Sequence, residues 1–268
     1  MPEGDSVYRL AARLRQVDGA LVQDGELRGG PAAGLRLGGR RVVGHATHGK
    51  HLLTRFDDDT TLHTHLRMQG SWTITSAGRR LPTRAAADAR VRLRLDDGRT
   101  VWGLSLPVVE HLATRDEPRV LGHLGPDLLH DPFDVAEASR RLQAAADTTI
   151  RTALLDQRVV AGLGNLWVNE LCFLRGRYPS TPAAAVDADA LLALARRMLL
   201  HSATTPEAYQ VTTGRRGKGQ RHWVVGRAGR PCLRCGTTVR AEDHLDVAGS
   251  PPRRSWWCPR CQPERAAA

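Results

Sequence analysis

The chain has 268 residues, enough to bury the core of one large domain or two moderate ones without disulfides. Its formal charge of +11 and isoelectric point near 10.5 are unusual for a plain metabolic enzyme and point to a polyanionic partner such as nucleic acid, although a highly charged, soluble surface would look the same. No apolar run is long enough to cross a membrane, and the acidic start lacks the basic and apolar regions of a signal peptide, so an intracellular, soluble protein is expected.

The first six residues, Met1-Pro2-Glu3-Gly4-Asp5-Ser6, suit a helix start, since proline fits the first turn and acids favour that end of the dipole. The same run has a second meaning. With Met1 removed, Pro2 is a terminal secondary amine able to attack an aldehyde, with an acid beside it. Val7, Leu10, Ala11 and Leu14 then predict a helix over 3–16 with one buried stripe. Short apolar or alternating runs follow at 41–46, 51–56, 61–66, 72–75, 91–95 and 100–104, a series that predicts antiparallel strands in a sandwich or barrel. Asp57-Asp58-Asp59 and Asp96-Asp97-Gly98 suit hairpin turns. A short helix is expected over 109–115, then irregular chain to about 132. Helical patterns resume at 135–145, 149–156, 165–175 and 186–201.

Four stretches between these elements carry residues of chemical interest. Thr47-His48-Gly49-Lys50-His51 presents the first of only two lysines in the chain, the other being Lys218. His63 and His65 share a strand face, a poor metal pair without nearby thiolates or carboxylates, and the loop after them exposes Met68, either core filler or a side chain able to wedge between bases. Gly162-Leu163-Gly164-Asn165 permits tight turns before a helix that Asn165 could cap, a phosphate clamp or a bundle corner. Thr212 to Arg221 is rich in glycine and arginine, lacks the spacing of a nucleotide-binding loop, and suits a mobile phosphate-attracting segment.

The most specific local pattern is Cys232-x-x-Cys235 and, after 22 residues, Cys258-x-x-Cys261. Two such knuckles give four thiolates, which suit one structural Zn2+ with no open position for water; disulfides or an iron centre are the alternatives. Zinc would organise a segment too small to fold well alone. No organic cofactor is expected. Arg253 and Arg254 lie between the knuckles, where a metal-held hairpin gives an arginine a fixed direction. Cys172 falls in an apolar helix and is expected to be packed.

Together, Pro2-Glu3-Gly4-Asp5, Gly49-Lys50-His51-Leu52, Leu121-Gly122-His123-Leu124-Gly125-Pro126-Asp127, Leu155-Asp156-Gln157 through Asn165, and the hairpin ending in Cys261-Gln262 resemble the formamidopyrimidine-DNA glycosylase and endonuclease VIII family, closest to its actinobacterial endonuclease VIII-like branch. The resemblance implies an α+β chain: a catalytic β-sandwich domain with an amino-terminal helix (1–125), a helical helix-two-turn-helix DNA-binding domain (126–222), a four-cysteine zinc finger (223–262) and a tail (263–268).

The resemblance also implies a bifunctional DNA glycosylase and abasic-site lyase that excises oxidised bases from double-stranded DNA. By position, Pro2 looks like the nucleophile, Glu3 the acid/base, Lys50 the sheet lysine that contacts the phosphate near the lesion and assists glycosylic cleavage, Asn165 the helix-turn phosphate ligand and Met68 the wedge. Arg253, five residues before Cys258, resembles the zinc-hairpin arginine, with Arg254 its rival. One departure stands out: where the formamidopyrimidine branch has a void-filling Arg and Phe pair, this chain has Trp102-Gly103-Leu104-Ser105-Leu106-Pro107, which leans towards oxidised pyrimidines. A damaged-DNA-binding protein with little or no chemistry, or a zinc-stabilised RNA-binding protein, would use the helices and hairpin but not Pro2, Glu3 and Lys50 as a set.

Overall fold

The computed structural model describes residues 2–244 and 252–264. Met1, whose removal frees Pro2, lies outside the described residues, as do positions 245–251 of the hairpin and 265–268 of the expected tail. The chain separates into two compact units, one of Pro2 with Ser6–His123, the other of Glu3–Asp5 with the chain from Leu124 onward.

The first unit is a β-sandwich. Helix α1 (Gly4–Leu14) buries Val7, Ala11 and Leu14 at the predicted spacing. Strands β1 (Val22–Leu27), β2 (Val42–His48), β3 (His51–Phe56), β4 (Thr60–His65) and β5 (Ser71–Thr75) follow, then a short helix α2 (Thr83–Ala87). After it come β6 (Ala89–Leu95), β7 (Thr100–Leu104), β8 (Val108–Ala113) and a short helix α3 (Glu117–Leu121). Two antiparallel four-stranded sheets result, in the orders β1-β6-β7-β5 and β2-β3-β4-β8. Their shared core takes Val22, Leu93 and Val101 from one sheet and Leu52, Leu62 and Val109 from the other, together with the stripe of α1. Alternation explains it: one face of each strand is apolar and buried, the other carries polar groups.

Two sequence expectations fail here. The helix expected over 109–115 is strand β8, which pairs with β4 from Val108↔His65 to Ala113↔Thr60; the β-branched start, Val108-Val109, fits the pleat and the edge of β4 needs a partner. Strand β1 was not anticipated because Asp24 and Gly25 interrupt its pattern. Gly25 lies so close to Leu37 that a Cβ there would sit 2.8 Å from the Leu37 Cβ.

The second unit is helical and ends in a hairpin. Its helices are α4 (Val135–Ala144), α5 (Ile150–Leu155), α6 (Asn165–Leu174) and α7 (Ala188–Thr204), followed by the antiparallel strands β9 (Arg240–His244) and β10 (Arg253–Trp257). Helix α4 packs on α7, and α6 packs on both α5 and α7. Asp134, Thr149 and Asp187 cap α4, α5 and α7 through their side chains. The Asp187 cap moves the start of the last helix from the expected 186 to Ala188. Among the described residues no helix is long and apolar enough to cross a membrane.

Candidate functional site

Helix α6 organises the candidate residues of the second unit. Its N-cap is Gly164, which has no side chain to offer, and the expected cap, Asn165, is the first helical residue. Glu3 does the capping. Its Oε2 accepts hydrogen bonds from the Gly164 N–H at 2.8 Å and the Trp167 N–H at 3.4 Å, and its Oε1 accepts one from the Leu166 N–H at 2.8 Å. The carboxylate is fully buried at the positive end of the helix, which satisfies amides that would otherwise be orphaned. Gly164 is required for this approach, because a Cβ there would lie 2.4 Å from the Glu3 Cδ. Gly162 takes φ +108° and its carbonyl accepts from the Gly4 N–H at 2.8 Å. Gln157 braces the same turn, donating to the Leu155 and Leu163 carbonyls and accepting from the Gly162 N–H.

The exposed edge of α6 is stitched to β10. Asn165 donates to the Arg254 carbonyl at 2.9 Å, and buried Arg151 donates to Asn165 Oδ1 at 2.9 Å and to the Arg253 carbonyl at 3.3 Å. One turn on, Asn169 Oδ1 accepts from Ser255 Oγ at 2.9 Å and the Trp256 N–H at 3.0 Å. Strand alternation then separates the two candidate arginines. Arg254 forms a two-point ion pair with its cross-strand neighbour Asp243, at 3.0 and 3.1 Å. Arg253 lies on the opposite face with Ser255, exposed, and its guanidinium has no partner among the described residues.

Behind β10 sit the four cysteines of the two knuckles, all free thiols, with their Sγ atoms within 4.8 Å of one another and Cys235 and Cys258 at 3.4 Å. Bonds of about 2.3 Å in a tetrahedron give sulfur–sulfur edges of about 3.8 Å, so shifts of no more than about 1 Å bring the set onto a structural zinc. Phe173, Val224, Val239 and the stacked Trp223 make a small apolar core around it. Cys172 is buried on α6 and burial pushes its thiol up to about 12, so it is packed, as expected, and unreactive.

Sequence reasoning missed Glu170. Fully buried on α6, it accepts from the Trp223, Val224 and Val225 N–H groups at 2.8 to 2.9 Å and from the Thr212 hydroxyl. It thereby fixes both ends of the Gly- and Arg-rich 213–221 loop. The available signal was a trio of polar residues, Asn165, Asn169 and Glu170, inside an otherwise apolar helix.

In the first unit, Lys50 occupies the two-residue turn Gly49-Lys50, whose flanking residues His48 and His51 pair. Gly49 takes the positive φ such a turn requires. Met68 is 66% exposed at the tip of the turn after β4, held from below by the Gly70 N–H on the Leu66 carbonyl and the Arg67 N–H on His65 Nδ1. Pro2 is half-buried. The segment 105–107 is only a three-residue passage from β7 to β8 with Leu106 buried, so it has no room for an Arg and Phe finger.

The Formamidopyrimidine-DNA glycosylase N-terminal domain profile matches residues 1–103, and the Formamidopyrimidine-DNA glycosylase H2TH domain profile matches 124–208. The chain is 44% identical over 266 residues to Probable endonuclease 8 2 of Streptomyces coelicolor, covering 98% of this chain and 94% of that protein. The chain belongs to the formamidopyrimidine-DNA glycosylase and endonuclease VIII family. Within that family it is also 36% identical, over 98% of its own length and 99% of the relative's, to the DNA-(apurinic or apyrimidinic site) lyase Nei2 of Mycolicibacterium smegmatis. The family fold is seen in the solved Lactococcus lactis formamidopyrimidine-DNA glycosylase bound to DNA with an abasic site, at a TM-score of 0.78 and 24% identity over 98% of this chain and all of that one. The H2TH domain match spans α4, α5, α6 and α7.

Proposed function

We propose that the protein is a bifunctional DNA glycosylase and abasic-site lyase that acts in the cytoplasm, at the nucleoid, as a monomer on double-stranded DNA carrying an oxidised pyrimidine or an abasic site. The observation that carries this reading is the seat of Glu3: an acid held rigidly by three backbone N–H groups, peptide-bonded to a proline that becomes a terminal amine once Met1 is removed. A helix start in solvent has no need of a buried carboxylate. The names and extent of the Streptomyces and Mycolicibacterium relatives support the same activity.

In this reading the Pro2 nitrogen forms a bond to the sugar C1′ while the bond from C1′ to the base breaks, and the base leaves with the electron pair and takes a proton. Glu3 exchanges a proton with the sugar ring oxygen as the ring opens, which leaves an iminium at C1′. That electron sink acidifies the C2′ hydrogens, so loss of a proton expels the 3′ phosphate, and a second elimination expels the 5′ phosphate. Lys50 contacts the phosphate near the lesion and assists glycosylic cleavage, and Asn165 and Arg253 contact phosphates beside it, with Arg254 as the rival of Arg253. Met68 fills the space of the flipped base. Zinc, held by Cys232, Cys235, Cys258 and Cys261, fixes the hairpin that aims Arg253. The working parts are then the sandwich over 1–125, the helical DNA-binding part over 126–222 and the zinc finger over 223–262. The preference for pyrimidines rests on the short 105–107 passage.

Borohydride trapping across a panel of lesions and opposing bases tests the proposal. The native protein is expected to form a covalent adduct with duplexes containing an oxidised pyrimidine or an abasic site, and Pro2→Gly to lose it. A native protein with a free Pro2 amine that traps nothing on any duplex overturns the assignment in favour of a DNA-binding module.

A further inference from the structure

The outer face of the β2-β3-β4-β8 sheet carries a line of imidazoles that the function proposed above leaves unused. His51 and His65 are register partners, as are His63 and Glu110, and all four side chains share that face. His51 Nδ1 lies 2.8 Å from His63 Nε2, and His63 Nδ1 lies 2.8 Å from Glu110 Oε2. The rings of His51 and His63 stack at 5.1 Å, and His51 meets His65 edge-on at 4.8 Å. His63 is 4% exposed along its side chain, whereas Glu110 is 37% exposed and lines a cavity of about 310 Å³ with Pro31, His111 and Arg119.

These contacts fix the hydrogens. A carboxylate only accepts, so His63 donates from Nδ1, and in its neutral form it offers Nε2 as an acceptor. His51 must then donate from Nδ1, which leaves its own Nε2 unprotonated. His65 is set the other way: its Nδ1 accepts the Arg67 N–H at 3.0 Å, so the hydrogen sits on Nε2. Burial first, and then the neighbouring His65, His63, His123 and His48, push His51 down to about 3. Burial, followed by the charges of Lys50 and Arg67 and by the neighbouring His63, pushes His65 down to about 4. Both rings are therefore neutral at physiological pH, and Lys50 and Arg67 are the standing cations beside them.

We propose that Glu110, His63 and His51 form a hydrogen-bonded relay that locks His51 into its Nδ1–H tautomer and so positions the Gly49-Lys50 turn for catalysis. The three are positioning residues acting through Lys50, and the role rests on the proposed glycosylase and lyase activity. A ring that can flip or change tautomer next to Lys50 would let the turn wander, and small displacements of a positioned group are expensive in rate. The carboxylate two residues deep in the chain removes that freedom, as orienting partners of functional imidazoles do elsewhere.

The test combines tautomers with kinetics in the full, zinc-loaded chain. Nitrogen-15 histidine spectra of the native protein should show Nδ1–H forms for His51 and His63 and the Nε2–H form for His65. Glu110→Gln keeps an oxygen to accept from His63, whereas Glu110→Leu removes it. Under single-turnover conditions with saturating enzyme, Glu110→Leu should slow base excision by about tenfold or more, as loss of an orienting partner does. Glu110→Gln should stay near native, and Glu110→Leu should lose far more in excision rate than in affinity for a non-cleavable abasic-site duplex, since one loosened phosphate contact is a small share of binding. A general loss of structure would weaken binding too and would not be rescued by glutamine. Native-like excision by Glu110→Leu, or an Nε2–H tautomer on His51 or His63, overturns the relay while the native activity stands. A native protein inactive on every lesion overturns the function itself.

Discussion

The four thiols of the C-terminal hairpin and the imidazoles of the β3-β4-β8 face are both clusters of residues able to bind metal, yet only one is a metal centre. The thiols converge on a common point and use none of their capacity on each other beyond near contact. The imidazoles are strung out in a line and spend their nitrogens on one another, on Glu110 and on the Arg67 amide. Ligand type alone does not make a site. What decides is whether lone pairs point to one centre or along a chain, and that depends on backbone geometry: two knuckles in one case, strand register in the other.

The largest effect expected from this contrast follows metal removal. Zinc binding by structural four-thiolate modules contributes about 10 kcal/mol or more, and their folding depends on it. A strong chelator, or Cys258→Ser, should unfold the β9–β10 hairpin and abolish duplex binding while the sandwich keeps its native amide protection. Metal analysis should give one zinc per native chain and none for the variant. A second tightly held equivalent in the native protein would break the comparison, because it would place metal on the histidines.

Acid should act on the other cluster. His51 and His65 have folded values of about 3 and 4, below their ordinary 6.5, so the unfolded chain binds protons that the folded chain does not. The stability they provide is complete above about pH 6.5 and falls as pH drops towards 4. Each fully linked histidine can contribute at most about 1.4 kcal/mol per pH unit. Amide exchange of β3 and β4, corrected for intrinsic rates and measured with excess zinc, should therefore accelerate between pH 7 and pH 5. Unchanged protection over that interval sinks the account of burial as the dominant influence.

The same contrast explains what could be read from the sequence. Cys-x-x-Cys fixes a knuckle locally, so the zinc site was legible without any tertiary knowledge, as were the turn at Lys50 and the buried stripe of α1. The Glu110–His63–His51 chain depends on the register of three strands, one of which, β8, looked helical over 109–115; Glu110 could not be placed beside His63 until that strand was. Glu3 is a similar case. Its neighbours Gly164, Leu166 and Trp167 are more than 160 residues away along the chain, and a residue that caps another helix looks like the start of its own. Glycine at 162 and 164 was read as turn chemistry, whereas Gly164 is there to admit a carboxylate.

The smallest effect expected concerns the two arginines that the zinc hairpin carries. Sequence spacing could only nominate Arg253 over its neighbour, and strand alternation now supplies a physical reason to separate them. Arg254 is held across the hairpin by Asp243, whose carboxyl it keeps below its ordinary value, so much of its charge is already matched. Arg253 is exposed on the face of β10 that Ser255 shares, and its backbone is tied to Arg151. Replacing a residue that neutralises one phosphate should lower the slope of log affinity against log salt by about one, evenly across sequences. Arg253→Ala should show that change on an abasic-site duplex, and Arg254→Ala a smaller one. Asp243→Asn supplies the decisive arm, because releasing Arg254 from its partner should steepen the slope. Equal changes for both arginines, with no response to Asp243→Asn, mean that the ion pair does not sequester Arg254, and that the hairpin's metal, unlike the carboxylate beneath the histidines, orients two contacts instead of one.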